Sequence, residues 1–239
     1  MPIKQTLKAL KKRFRIRREL DLLPNARERQ QIDIGSTMQR AVQYVLGADI
    51  EGDLVEFGTA TGFTASAMAR TLKELERHAD RNLWLFDSFE GLPEATAEAD
   101  RLSPHVAAGV WGKGTCRGLT AQGLKVQIAQ FLDQSRIRIV EGWFSDTVSS
   151  IPDAARFALV HVDGDLYQSA IDCLSPLFER KLISKGAVIV FDDWNCNRAD
   201  NNLGERRAWR EISEKHHAEF DDFGHHSWAG RSIILHSYR

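Results

Sequence analysis

From residue 52 onward the chain alternates short apolar runs with longer amphipathic stretches. Leu54-Val55-Glu56-Phe57, Leu83-Trp84-Leu85-Phe86-Asp87, Arg136-Ile137-Arg138-Ile139-Val140, Phe157-Ala158-Leu159-Val160, Gly186-Ala187-Val188-Ile189-Val190-Phe191 and Ser232-Ile233-Ile234-Leu235-His236 predict strands. The stretches near 63–79, 122–134 and 203–216 predict helices between them. Strands alternating with helices at this spacing predict a parallel, doubly wound sheet with right-handed crossovers. Upstream, Ser36 followed by Met38, Ala41, Val42, Tyr44, Val45 and Leu46 reads as a capped helix closed by Gly47. Residues 88–121 carry Gly91, Pro93, Pro104, Gly109, Gly112, Gly114 and Gly118 without periodicity, which predicts a lid or insertion. Residues 1–35 form a basic N-terminal arm and residues 36–239 one domain.

The arm sets Lys4, Lys8, Lys11, Lys12, Arg13, Arg15, Arg17 and Arg18 against Glu19, with Leu7, Leu10 and Phe14 at helical spacing. Its apolar stripe is thin. A solvated or subunit-packing arm is therefore expected ahead of contact with an anionic membrane.

Two apolar runs end in paired acids. The first leads into His161-Val162-Asp163-Gly164-Asp165-Leu166-Tyr167 and the second into Asp192-Asp193. Adjacent strands would crowd these carboxylates at the sheet's carboxyl edge, where open α/β sheets bind ligands. Four acids gathered there repel one another unless a cation neutralises them or some hold protons. The cluster therefore predicts a metal site. In extended backbone Asp163 and Asp165 share a face, and His161 shares it with them. Asp192 and Asp193 would point to opposite faces of a regular strand, so both can reach one ion only if the strand ends at Asp192. A hard cation such as Mg2+ suits these donors, and it would lower the pKa of a hydroxyl that must attack an electrophile.

A cofactor pocket is expected at the first strand-to-helix turn, Glu56-Phe57-Gly58-Thr59-Ala60-Thr61-Gly62. Glycine permits the sharp turn and close approach of a ligand to free helix N–H groups. The spacing is GxxxG and not the dinucleotide GxGxxG, so a methionine carboxylate fits the turn better than a pyrophosphate. Asp87, ending the second strand, is placed to bind ribose hydroxyls, although it could equally cap the next segment. Glu56 inside a buried strand needs a partner. Together Glu56, Gly58, Gly62 and Asp87 favour S-adenosylmethionine over a nicotinamide.

Bulk properties narrow the partners. The net charge of −1 gives no reason to expect nucleic acid. Cys116, Cys173 and Cys196 are odd in number and widely spaced, which fits a reducing, cytoplasmic setting. No apolar run is long enough to span a bilayer. His105 lies in the lid and reads as an exposed loop residue. The tail pairs His216-His217 and His225-His226 diverge on any helix or hairpin, so zinc is not expected there.

Four motifs then stand in one order and spacing: Asp87-Ser88-Phe89-Glu90-Gly91-Leu92-Pro93-Glu94, Glu141-Gly142-Trp143-Phe144-Ser145-Asp146-Thr147, Asp163-Gly164-Asp165-Leu166-Tyr167 and Asp192-Asp193-Trp194. Over about residues 36–210 the chain resembles the macrocin O-methyltransferase family, metal-dependent sugar O-methyltransferases of antibiotic biosynthesis. The resemblance implies a Rossmann-like class I methyltransferase fold, with a seven-stranded, mostly parallel sheet and an antiparallel C-terminal strand. It also implies S-adenosylmethionine as donor, Mg2+, a sugar-bearing hydroxyl acceptor and a homo-oligomer. Carried over by residue, it makes Asp163, Asp192 and Asp193 metal ligands and Asp165 the general base. The cofactor would lie along Glu56, Gly58 and Gly62, with Asp87 and Ser88 at the ribose, Trp143 at the adenine side and Thr37-Met38 closing the site. The chain departs from the family at Ala60-Thr61-Gly62-Phe63, where Trp-Arg-Gly-Gly is usual, after Asp193, and in the lid around Trp111 to Arg117. Those departures leave the acceptor open. The alternatives are a catechol or polyphenol acceptor, or a binding protein without turnover on the same fold.

Overall fold

The computed structural model describes residues 11–13, 15 and 23–239 except residue 79. The expected contacts of the basic arm fall mostly outside these residues. Helix α1 spans Ala26–Gly47 and so begins well before Ser36. Its start is fixed by a reciprocal cap: Glu28 N–H donates to Asn25 Oδ1, and Asn25 N–H to Glu28 Oε2, each at 3.0 Å. Ile34, Met38, Ala41, Val42 and Val45 recur at helical spacing and are buried as one face.

The chain then runs β1 (Asp53–Phe57), α2 (Phe63–Leu75), β2 (Leu83–Asp87), two one-turn helices α3 (Glu98–Arg101) and α4 (Pro104–Ala107), and α5 (Ala121–Ile128). It continues with β3 (Ile137–Glu141), the short α6 (Phe144–Thr147), β4 (Phe157–Val162), α7 (Tyr167–Glu179) and β5 (Ile183–Phe191). Helix α8 (Gly204–Lys215) and the hairpin β6 (Glu219–His226) and β7 (Gly230–Ser237) complete it. The sheet order is β3-β2-β1-β4-β5-β7-β6. Strands β1 to β5 pair in parallel, while β7 is antiparallel to both β5 and β6. The expected seven-stranded, mostly parallel sheet is therefore observed.

Each strand feeds two cores because successive side chains alternate across the sheet. Val55, Phe57, Val160, Ile189 and Phe191 pack with Leu174, Phe178 and Trp209 on one face. Leu54, Leu85, Leu159, Val188 and Val190 pack with Met38, Val42 and Met68 on the other. Strand β6 was hidden in the sequence. Glu219, Asp221, Asp222 and His225 are exposed along it, the charged outer edge by which sheets resist further pairing, and that polarity masks the alternation.

Chain order reverses between β1 and β4, which opens the crevice where doubly wound sheets take ligands. The two strand ends approach closely there. Asp163 N–H donates to Phe57 C=O at 2.9 Å. Gly58 has φ +89°, and a Cβ on it would lie 1.8 Å from the Asp163 carbonyl oxygen. Only glycine fits. Gly58→Ala is expected to destabilise the fold by about 2 kcal/mol or more, from backbone overlap and left-handed strain together. Urea unfolding measures this, and a midpoint equal to wild type would contradict the close approach.

Candidate active site

Strand β4 ends at Val162 and β5 at Phe191, so all four predicted acids sit in the turns just beyond the sheet. The strand stops before Asp192, as double use of Asp192 and Asp193 required. Asp165 adopts φ +59°, a left-handed conformation that aspartate tolerates better than most residues. A turn, and not an extended face, thus brings it back beside Asp163. One oxygen from each of Asp163, Asp165 and Asp193 lies within 4.8 Å of the other two. Asp192 stands next to this group and meets His226 Nε2 at 3.2 Å.

The electrostatics follow from crowding. Burial, then the charges of Asp192, Asp193 and Asp165, push the Asp163 carboxyl well above the usual range. Burial and then Asp165 do the same to Asp193. Asp165 is pushed up to about 6, by burial and then Asp192, against a hydrogen bond from Cys116. Asp192 moves the other way. Burial alone would raise it, but the His226 hydrogen bond and the neighbouring imidazoles of His161 and His226 outweigh burial and lower it.

A cavity of about 580 Å³ opens beside the acids, within the usual range for a small-molecule site. Gly58, Asp87, Ser88, Trp143, Asp163 and Asp165 are among its lining. The Asp87 carboxylate organises the glycine turn. Its Oδ2 accepts Thr59 N–H (2.7 Å), Thr59 Oγ1–H (2.9 Å) and Ala60 N–H (3.3 Å), and its Oδ1 accepts Phe89 N–H at 2.7 Å. Ser88 Oγ donates to Gly91 C=O at 2.9 Å, steadying the lid's first turn. Gly62 takes φ +69° as the residue before α2. Glu56 does not line the cavity; it is fully buried, accepts Thr64 Oγ1–H and pairs with His161 Nδ1 at 3.1 Å. Thr37 and Met38 are also outside the lining. Met38 sits in the core, and Thr37 Oγ1 accepts from Arg40 at 2.8 Å.

Several contributors were not legible in the sequence. Asp100, in the lid, is 2% exposed and caps α7 from outside, accepting Tyr167 N–H at 2.7 Å and Gln168 N–H at 3.2 Å. Ser103 Oγ–H bonds Asn197 Oδ1, tying the lid to the turn after Asp193. The lid is thus fastened to both acid-bearing turns. Cys196 Sγ–H donates to Asp193 Oδ1 at 3.2 Å. Glu205, on α8, accepts Asp193 N–H at 2.9 Å, and burial followed by Asp193 and Asp192 raises its carboxyl well above the usual range. The only hint in the sequence was a carboxylate at the start of a helix. His226 was set aside with the other tail histidines; Gly230 admits its ring, since a Cβ there would fall 1.9 Å from His226 Nε2.

The donors are all carboxylate oxygens, and Glu205 Oε1 is buried without a partner among the described residues. Both features fit a hard divalent cation.

The family model for macrocin-O-methyltransferase (TylF) matches residues 34–225. The chain is 32% identical over 189 residues to the 8-demethyl-8-(2,3-dimethoxy-alpha-L-rhamnosyl)-tetracenomycin-C 4'-O-methyltransferase of Streptomyces olivaceus. It is 27% identical over 180 residues to the demethyldecarbamoylnovobiocin O-methyltransferase of Streptomyces niveus. Each match covers 74% of this chain and 66% of the relative. The solved structure of the O-methyltransferase NovP superposes with TM-score 0.69 at 24% identity, covering 85% of this chain and 79% of that one. The calicheamicin methyltransferase CalS11 gives 0.66 at 22%, covering 84% and 77%. These likenesses establish the class I O-methyltransferase fold.

In the metal-free protein Asp163, Asp165, Asp193 and Glu205 all titrate above their unfolded values. Between those values the folded state binds more protons than the unfolded chain, so stability is highest at the acid end and falls as pH rises through the folded-state values. Asp192, lowered, acts only below that window. Thermal unfolding without metal is expected at a higher temperature near pH ~5.5 than near pH ~8, and Mg2+ should raise the ~8 value more. A metal-free melting temperature that climbs from the lower pH to the higher would contradict the crowding.

Proposed function

This chain belongs to the macrocin O-methyltransferase family, and from that membership and the acid-lined cavity we propose that it transfers a methyl group from S-adenosylmethionine to a sugar hydroxyl of a small molecule, with Mg2+. The observation that carries the reading is the convergence of Asp163, Asp165 and Asp193 within 4.8 Å at the sheet's switch point, beside the Gly58–Asp87 end of one cavity. The sugar acceptor draws on the rhamnosyl compound in the Streptomyces olivaceus relative's name.

Asp163 and Asp193 would hold the cation, with Asp192, tied to His226, as the third ligand that the resemblance implies and Asp165 beside Asp163 on the cavity wall. When bound, Mg2+ would lower the pKa of an acceptor hydroxyl and fix its position. Asp165 is suited to accept the hydroxyl proton. It faces the cavity beside Asp163 and Asp193, where a hydroxyl held by the cation would come within its reach. Gly58 leaves room for the donor's close approach. Asp87 has committed its oxygens to Thr59, Ala60 and Phe89, so in this reading it shapes the donor's seat and reaches the ribose with its remaining lone pairs. Trp143 and Phe144, on the lining after β3, offer flat apolar surface for a purine. Bringing oxygen, methyl and sulfur into line would supply much of the remaining rate gain. The same proposal sets the protein in the cytoplasm, in keeping with three free cysteines, and extends the family resemblance to a homo-oligomer without nucleic acid.

Asp165→Asn separates base from ligand. The expected result is a loss of about 10²-fold or more in kcat on a glycoside acceptor, with calorimetric Mg2+ and S-adenosylhomocysteine affinities close to wild type. Loss of Mg2+ binding would make Asp165 a ligand instead, and no S-adenosylhomocysteine binding to wild type would overturn the methyltransferase reading.

A further inference from the structure

The turn carrying Asp192 and Asp193 is gripped from behind by the first residues of α8. Asp193 N–H donates to Glu205 Oε2 at 2.9 Å. Arg206 Nε donates to Trp194 C=O at 2.8 Å and Arg206 Nη2 to Asn195 Oδ1 at 2.7 Å, with the guanidinium 5.1 Å from the Trp194 ring centre. Arg206 thus ties the same turn independently of Glu205, and Glu205 brings a buried acid as well. It is 1% exposed, its Oε1 has no partner among the described residues, and Asp193, Asp192 and Asp165 already crowd the same region. A neutral side chain could accept the same N–H without burying another carboxylate, an arrangement that costs several kcal/mol unless the carboxyl holds a proton or a positive charge offsets it.

We propose that Glu205 is a positioning residue for the divalent cation, orienting the Asp192–Asp193 turn through Asp193 N–H and adding negative potential behind it. The inference rests on reading the acid group as a cation site. A side chain just behind the ligands sets both their direction and the charge they present, and losing such a partner typically weakens metal binding 10–100-fold.

Glu205→Gln tests the charge while keeping an oxygen that can accept the N–H. Mg2+ is titrated calorimetrically into wild type and variant, and S-adenosylhomocysteine is titrated into both without metal. The expected result is Mg2+ affinity reduced about 10–100-fold in the variant, with S-adenosylhomocysteine affinity within about twofold and cooperative thermal unfolding retained. Glu205→Asp, which restores the charge on a shorter stem, should recover part of the affinity. Unchanged Mg2+ affinity in Glu205→Gln would overturn the proposal, leaving Glu205 a tie for the turn. So would an equal fall in both affinities, which would mark general damage. Absence of Mg2+ binding to wild type would instead sink the cation site on which the inference stands.

Discussion

Mutual repulsion among carboxylates is the constraint around which this molecule is arranged. Two ionised carboxylates within 4.8 Å of each other repel by about 3.5 kcal/mol or more at an effective dielectric near 20. Asp163, Asp165 and Asp193 form three such pairs, with Asp192 and Glu205 beside them. Here the sheet itself fixes it: β4 and β5 are neighbours in register, both stop one residue before their acids, and Gly58 lets the end of β1 press against Asp163.

The surrounding structure consists largely of ties to those turns, each from a different direction. The hairpin brings His226 against Asp192, α8 brings Glu205 against Asp193, and the lid sends Asp100 to the start of α7 and Ser103 to Asn197. The lid is therefore no loose insertion. Residues 98–107 fold into two short helices whose polar groups are used to hold the acid-bearing loops, and Trp111 packs with Leu92, Leu166, Cys196 and Ala229 beneath it. At the glycine turn a single carboxylate, Asp87, serves four N–H and O–H groups from two loops, so the turn and the lid's first residues are tied to each other.

The buried Glu56–His161 pair shows how the halves are joined. The two residues are register partners on β1 and β4, on the face opposite Phe57, inside an otherwise apolar core. Each retains one buried atom without a partner among the described residues, Glu56 Oε2 and His161 Nε2. A polar pair at that depth links the floor of the glycine turn to the strand that leads into Asp163.

By itself the sequence determined the parallel core, because buried strands are written as continuous apolar runs and their ends as the first charged residues. It marked Asp163, Asp165, Asp192, Asp193 and Asp87 for the same reason, and Gly58 as a turn. It did not determine which oxygens converge. Periodicity reports the face of a strand, and Asp165 comes together with Asp163 through a left-handed turn beyond the strand's end. Strand β6 escaped because an edge strand protects itself with charge, and the start of α1 because its cap, Asn25 with Glu28, lies outside the apolar stripe. Asp100, Glu205 and His226 were decided by tertiary structure alone. Each acts on a backbone N–H or side chain 12 to 68 residues away, and a contact across that distance leaves no local pattern, since any polar residue on a loop or helix start reads the same until the fold shows what it faces.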